Sequence, residues 1–363
     1  MCWPASPPMP PAACGWPLPP PHDGPRDASS PAMTTSPPLT LLLLGGSGFI
    51  GRAVLRELAR QPRGALGIRA LLRRPDALPA QAGLVRIAGS LERAPAALEP
   101  DSPYVLVHLA VKQIDRDGSG YRATNEAATE ALLGRLGRSL RGVLYASSMS
   151  VYGQGAQDGI DEHAAPAPDT PLAHSRLRAE RIIEARAREL GVPALAMRPR
   201  FVIGEGDRHV LPAFARFTRH ALQIGDGRQR FSFIDVDDYA RVIVRLAARL
   251  VEQYGNGESR QSSVHVGYRQ PLDFARIASI LREIDPARRA PLAHLPISPC
   301  LTRGLRRLPS ATLAQLATRL ELIGLPHWGN TDRLAALVGT DLVGHDPASV
   351  FHAAATRMRD GMH

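Results

Sequence analysis

The chain has 363 residues, 44% hydrophobic and 21% charged, with a formal net charge of +10. That length buries a substantial core, in one large domain or two intertwined ones. The positive charge is almost all arginine, Lys112 being the one lysine, and it is scattered between acids without interleaved aromatics, which argues against a nucleic-acid surface. No apolar run approaches the roughly 20 residues that cross a bilayer, so no membrane partner is expected. Cys2, Cys14 and Cys300 fall at no metal or disulfide spacing, so a reducing, cytoplasmic compartment and no metal are expected.

Residues 1–38 hold thirteen of the 33 prolines and lack a basic segment followed by an apolar one. They read as a disordered Pro-rich extension rather than a secretory signal, with Met33 as an alternative start. A strand is expected at Leu39–Leu44, then a helix at about Phe49–Arg60. Strands follow at Ile68–Leu72 and Leu84–Ala88. The strand Tyr104–Leu109 precedes a helix around Ala123–Leu140, and Gly142–Ser147 reads as a strand. Asp169–Leu190 reads as a long helix, capped by Asp169 or Thr170 with Pro171 in its first turn, and Ala194–Arg198 as a further strand. This alternation predicts an α/β fold, a Rossmann-like doubly wound parallel sheet over residues 39–200. Beyond Arg200, helical patterns at Val210–Ala221, Val236–Val251, Leu272–Ile284 and Ala311–Ile323 predict a smaller, mainly helical substrate lobe over 201–363. That lobe is expected to interleave in part with the first domain.

The chemistry-bearing stretch is Leu41–Leu44 followed by Gly45-Gly46-Ser47-Gly48-Phe49-Ile50-Gly51. A buried strand running through glycines into a helix presents backbone N–H groups and a helix N-terminus to a pyrophosphate. Dinucleotide-binding domains often place an acid at the end of the second strand to hold a ribose 2′-hydroxyl. Here that strand ends in Leu72-Arg73-Arg74, and two guanidiniums suit a 2′-phosphate, favouring NADPH over NADH. The plainer alternative is that one or both arginines are solvated surface.

From Leu39 to Ala354 the chain resembles the extended short-chain dehydrogenase/reductase superfamily, the group of NAD-dependent epimerases, dehydratases and ketoreductases. The resemblance rests on Gly45–Gly51, Val107-His108-Leu109-Ala110, Asn125-x-x-x-Thr129-x-x-Leu132-Leu133 and Ser147-Ser148-Met149-Ser150-Val151-Tyr152-Gly153. It is strengthened by Arg198-Pro199-Arg200-Phe201-Val202-Ile203-Gly204 and Phe233-Ile234-Asp235-Val236-Asp237-Asp238. It implies cofactor contacts from Gly45, Ser47, Gly48, Phe49, Ile50, Gly51, Arg73, Arg74, Ser90, Leu91, Leu109, Ala110, Asn125 and Arg176. It makes Ser148 the serine that hydrogen-bonds a substrate carbonyl.

The departures carry as much as the matches. The family's catalytic tyrosine, and the lysine four residues on, correspond to Leu172 and Arg176, ahead of the matching Ala179-Glu180 pair. Leucine cannot exchange a proton, and an arginine stays protonated. Ser90 stands where the family has an acid near the adenine. Sugar-nucleotide members hold the diphosphate with an arginine seven residues before the final Asp of the Val-Asp-Asp signature. Counting back from Asp238 gives Phe231, with Arg230 one residue out of register, and on a strand that slip turns a side chain to the other face.

Lys112, Ser148 and Phe231 are therefore the expected substrate contacts. His174, Ser175, Tyr152, Lys112 and the pair Asp161-Glu162 are weak candidates for the missing proton donor. The reading that follows is NAD(P)H-dependent reduction of a ketone on a hydrophobic, aromatic polyketide-type small molecule, with the proton taken from substrate or solvent, as in tyrosine-lacking ketoreductases of antibiotic pathways. The alternatives are a non-catalytic NADP(H)-binding regulator or scaffold, and a sugar-nucleotide epimerase, dehydratase or 4-ketoreductase.

Overall fold

The computed structural model describes residues 39–62, 66–115, 119–219, 222–255, 261–291, 293–297, 302, 304–305 and 310–361. The Pro-rich residues 1–38 and Cys300 lie outside them. Seven parallel strands form the central sheet: β1 (Thr40–Leu44), β2 (Gly67–Leu72), β3 (Leu84–Ala88), β4 (Tyr104–His108), β5 (Leu140–Ala146), β6 (Ala194–Pro199) and β7 (Gln261–Val266). Their order is β7-β6-β5-β4-β1-β2-β3, a doubly wound Rossmann-like sheet.

All five residues of β1 are buried because helices cover both faces, which is why this strand is continuously apolar instead of alternating. Leu41 and Leu43 pack with α1 (Phe49–Arg60) and α3 (Val236–Gly255). Leu42 and Leu44 face the other way, toward the helical stretch 119–133 and α2 (Pro171–Leu190). Thr170 caps α2, its hydroxyl accepting from Ala173 N at 3.2 Å, with Pro171 at the first helical position.

The helix expected to run to Leu140 ends at Leu133. Gly134 caps it, and the Glu99 carboxylate then accepts from Gly137 N (2.9 Å) and Ser139 N (3.4 Å). Those bonds hold the chain extended into β5, which starts at Leu140. Asn125 sits in a π-helical turn within this stretch, a geometry common at functional sites.

The region after Arg200 carries more strand than its helical patterns suggest. Its β7 is the edge strand of the main sheet, and α3 packs on α1, so residues on both sides of Arg200 build the half that holds the central sheet. A four-stranded sheet runs Leu272–Asp273, Arg230–Phe231, His327–Gly329, Gln157–Ile160. The helix expected from Leu272 starts at Phe274 because Leu272 and Asp273 pair with Phe231 and Arg230, and Asp273 caps it. Phe201–Ile203 pairs with Phe233–Asp235, and Ala293–Leu295 with Leu222–Ile224. Helices Phe274–Ile284 and Pro347–Asp360 close over a third core built on Phe201, Phe214, Phe231, Phe233, Phe274 and Phe351.

Candidate active site

A cleft of about 810 Å³ opens over the carboxyl ends of the central strands, where the strand order reverses between β1 and β4. Its cofactor side is built from backbone. Gly45 has φ +87°, and a Cβ there would stand 2.9 Å from Ala110 N and from Leu109 C. A Cβ on Gly51 would lie 2.2 Å from Gly45 O. Gly48 is the N-cap of α1 with no side-chain cap, and no acid lies in the first turn, so the helix presents its N–H groups. Ser47, Phe49, Ile50 and Leu109 line the cleft beside it. Bare helix N–H groups and glycines without room for a side chain fit a dinucleotide pyrophosphate.

Arg73 and Arg74 are exposed at the end of β2. Arg74 lines the cleft, and neither makes an ion pair among the described residues. Ser90, Leu91, Ala110 and Asn125, expected at the cofactor, are not part of the lining. Ser90 Oγ accepts from Arg93 N at 3.2 Å, and Leu91 and Ala110 pack into the core behind β1. Asn125 works as a clamp. Its Oδ1 accepts from Lys112 N (2.8 Å), and its Nδ2 donates to Lys112 O (3.1 Å) and Ser175 Oγ (3.0 Å). That ties the segment after β4 to α2.

On the reacting side, both consecutive serines line the cleft but differ in burial. Ser147 is buried and donates a short hydrogen bond to Glu180, and Ser148 is half-buried. Arg176 is buried beside it, its Nη1 donating to the carbonyls of Ala146 (3.1 Å) and Ser147 (2.9 Å). Burial draws the Arg176 pKa below the usual arginine value, and Glu180, Tyr145 and Tyr239 act in the opposite direction.

The sequence profile of the NAD dependent epimerase/dehydratase family matches residues 41–258. The chain belongs to that family. It is 32% identical to the GDP-6-deoxy-D-mannose reductase of Pseudomonas aeruginosa over 216 residues, 53% of this chain and 69% of that protein. It is 26% identical to the dTDP-L-rhamnose 4-epimerase of Burkholderia thailandensis over 298 residues, 65% of this chain and 79% of that one. A relative from Sinorhizobium fredii, 23% identical, is matched over 56% of this chain and only 52% of its own length, so the chain spans about half of it. The fold is that of the Bacillus cereus UDP-glucuronic acid 4-epimerase in complex with UDP-glucuronic acid and NAD. That likeness has a TM-score of 0.66 and 18% identity, and covers 90% of this chain and 100% of the other.

Two expected substrate contacts of this family member are corrected. Phe231 is 0% exposed, packed against Phe201 (ring centroids 5.8 Å) and Phe214 (5.4 Å), so it faces the aromatic core and not the cleft. The adjacent Arg230 points outward, 2.9 Å from Asp158 and with its guanidinium 4.6 Å from the Trp328 ring centroid. Lys112 is paired to Asp115 at 2.8 Å, which holds that carboxyl below its usual range, and it does not line the cleft.

The suggested proton donors are also accounted for elsewhere. Leu172 is half-buried in the first turn of α2, and His174 is exposed. Ser175 donates to Leu172 O at 2.8 Å. Tyr152 accepts from Arg198 Nη1 (2.7 Å) and bonds His265 Nε2 (2.8 Å), and burial raises its phenol pKa. Asp161 turns on itself, accepting from His163 N at 3.0 Å. Glu162 accepts from His265 N at 2.7 Å. Arg198 also pairs with Glu180 at 2.6 Å, joining Ser147, Glu180, Arg198, Tyr152 and His265 into one buried chain behind the cleft.

Among the cleft's other polar residues, sequence reasoning passed over the cations Arg52, Arg56, Arg200 and Arg208, the acids Glu205 and Asp207, and Gln113, His209 and Tyr239. Arg200 and Tyr239 stand within or next to motifs already singled out, Arg198–Gly204 and Phe233–Asp238. The signal was a charged or polar side chain inside an otherwise apolar signature.

Proposed function

We propose that the chain is a reductase of nucleoside-diphosphate keto-sugars, using NADPH. The carrying observation is the cleft itself: the Ser148 hydroxyl shares it with six arginines (Arg52, Arg56, Arg74, Arg176, Arg200 and Arg208) against two carboxylates, Glu205 and Asp207, while Phe231 is sealed in the core. A cation-lined cavity suits a diphosphate ester and not an apolar polyketide, so the expected aromatic substrate loses its support. The matched reductase and epimerase, whose names specify GDP- and dTDP-sugars, support the same substrate class.

The nicotinamide cofactor supplies hydride when bound. Ser148 donates a hydrogen bond to the carbonyl oxygen, opposing the build-up of negative charge there. Arg176 holds the end of β5 by its two carbonyls, which keeps Ser148 aimed into the cleft. With Leu172 in place of a phenol, water in the open cleft delivers the proton. Reduction makes the smallest demand on such a site, since epimerisation and dehydration both need an acid–base relay. Arg73 and Arg74, which make no ion pair among the described residues, would hold the 2′-phosphate.

NADPH consumption with GDP- and dTDP-linked 4-keto-6-deoxyhexoses tests the reading. Turnover is expected with at least one, and Ser148→Ala is expected to slow it roughly a hundredfold. Tight NADPH binding without turnover on any keto-sugar would instead favour the non-catalytic cofactor-binding protein to which Leu172 points.

A further inference from the structure

The family arginine that grips a diphosphate is missing from its usual strand, since Phe231 occupies that position and Arg230 is held outside by Asp158 and Trp328. Another cation reaches the same corner from a different element. Arg200, just beyond β6, lines the cleft, and its guanidinium lies 5.6 Å from the centroid of the Phe201 ring, itself 5.8 Å from the ring of Phe231. His327 stacks on Phe231 at 6.5 Å and feels the Arg200 charge.

Arg200 is poorly satisfied for a cation in such a place. Its Nε is buried without a hydrogen-bond partner, and its one hydrogen bond among the described residues is a long one, 3.4 Å to Gln154 Oε1. It makes no ion pair among the described residues. Asp169 acts on it only electrostatically, while the carboxylate itself accepts from Gln154 N at 3.1 Å. Burial pushes the Arg200 pKa down to about 10, so the cation persists at neutral pH with its desolvation only partly offset by the Asp169 charge. Three of the other five arginines around the cleft are tied down, Arg52 to Ser47 O and Ala77 O, Arg56 to Asp237, and Arg176 to Ala146 O and Ser147 O, while the remaining two, Arg74 and Arg208, are exposed to solvent. A half-buried guanidinium whose Nε is sealed from water without a partner is an unfinished pair, and a fork of N–H donors is completed best by phosphate oxygens.

We infer that Arg200 is the specificity-determining residue that binds the substrate's diphosphate, taking from β6 the role that the strand at Phe231 has lost. This inference rests on the nucleoside-diphosphate reading above. It also explains how the chain tolerates Phe231: the phosphate contact has moved, and the vacated position closes the aromatic core.

The test is calorimetric titration of the NADPH-saturated protein, so that the glycine turn is already filled, with UDP, GDP and dTDP and with the matching nucleosides. A diphosphate is expected to bind and its nucleoside to bind far more weakly. Arg200→Gln is expected to lose diphosphate affinity by about tenfold or more, keep its NADPH affinity, and melt at the same or a higher temperature, because a partly desolvated charge without an ion pair has been removed. Arg230→Gln is expected to bind like the wild type. Unchanged diphosphate binding by Arg200→Gln overturns the assignment and leaves the substrate class standing. Loss of NADPH affinity and of melting temperature along with diphosphate affinity also overturns it, because Arg200 is then structural. If no nucleoside diphosphate binds the wild-type holoprotein, the substrate class itself falls.

Discussion

The two sides of the cleft are made of different material. The cofactor side is backbone: three glycines, an uncapped helix end and the carbonyl edge of β1, all within eleven consecutive residues. The reacting side is side chain: Ser148 after β5, Arg176 on α2, Arg200 after β6 and Tyr239 on α3, brought together from about ninety residues of sequence. A backbone site leaves almost no freedom for substitution, because what it needs is the absence of atoms. A side-chain site can exchange its parts one residue at a time.

The sharpest way to break this contrast is to damage what lies behind the reacting side. Glu180→Ala strands Arg198, which is buried between Glu180 and Tyr152, and is expected to cost about 3–5 kcal/mol in urea unfolding. A loss below 1 kcal/mol would mean that this network does not hold β5, β6 and α2 in place. On the backbone side, Gly51→Ala places a methyl 2.2 Å from Gly45 O, where only main chain can yield. It should abolish measurable NADPH binding by fluorescence titration, a loss of roughly a hundredfold or more. Tight binding by that variant would show that the turn is softer than its geometry.

A third expectation concerns pH. Burial lowers the pKa of His108 to about 4, and of His265 and His327 below their usual value. In each case the unfolded chain takes up a proton that the folded one refuses. Stability is therefore full above the unfolded histidine value near 6.5 and falls as pH drops from there toward 4. For His108 alone the loss approaches about 3 kcal/mol. Melting temperatures between pH 7 and pH 4.5 should fall steadily, and His108→Gln should flatten part of that slope. A pH-independent curve would count against a neutral buried imidazole at this position.

Smaller still is the cofactor preference. Replacing Arg73 and Arg74 together with alanine should weaken NADPH by about tenfold or more and leave NADH nearly unchanged. Equal losses for both cofactors would assign these arginines to the surface. The smallest effect is expected at Arg230→Gln, an exposed pair worth about 1 kcal/mol or less.

Much of this division could be seen in the chain before folding. The Gly45–Gly51 turn, β1 and α1 follow from local pattern, because strand burial, tight turns and helix starts are decided within a few residues. So did the register slip at Phe231: Arg230 and Phe231 do face opposite ways, as alternation along a strand requires. What alternation could not say is which face meets the cleft. The apolar face reads as a substrate wall, but it closes on Phe201, Phe214 and Phe274. The edge strand β7 is not legible in the chain because Gln261-Ser262-Ser263 carries no apolar run, its place being set by pairing with β6. The end of the helix after β4 is not legible either, because it depends on Glu99, some forty residues away in sequence.

By itself, the sequence determined a doubly wound sheet, a dinucleotide turn and the absence of a tyrosine and a lysine from α2. Those are matters of residue identity and short-range pattern. Only the tertiary structure decided that Asn125 clamps instead of lining the cleft, that Lys112 pairs with Asp115, and that Arg200 stands in the cavity with no ion pair among the described residues. Those depend on which side chains from distant strands arrive at the same point, and whether a charge finds a partner there is settled by packing in three dimensions.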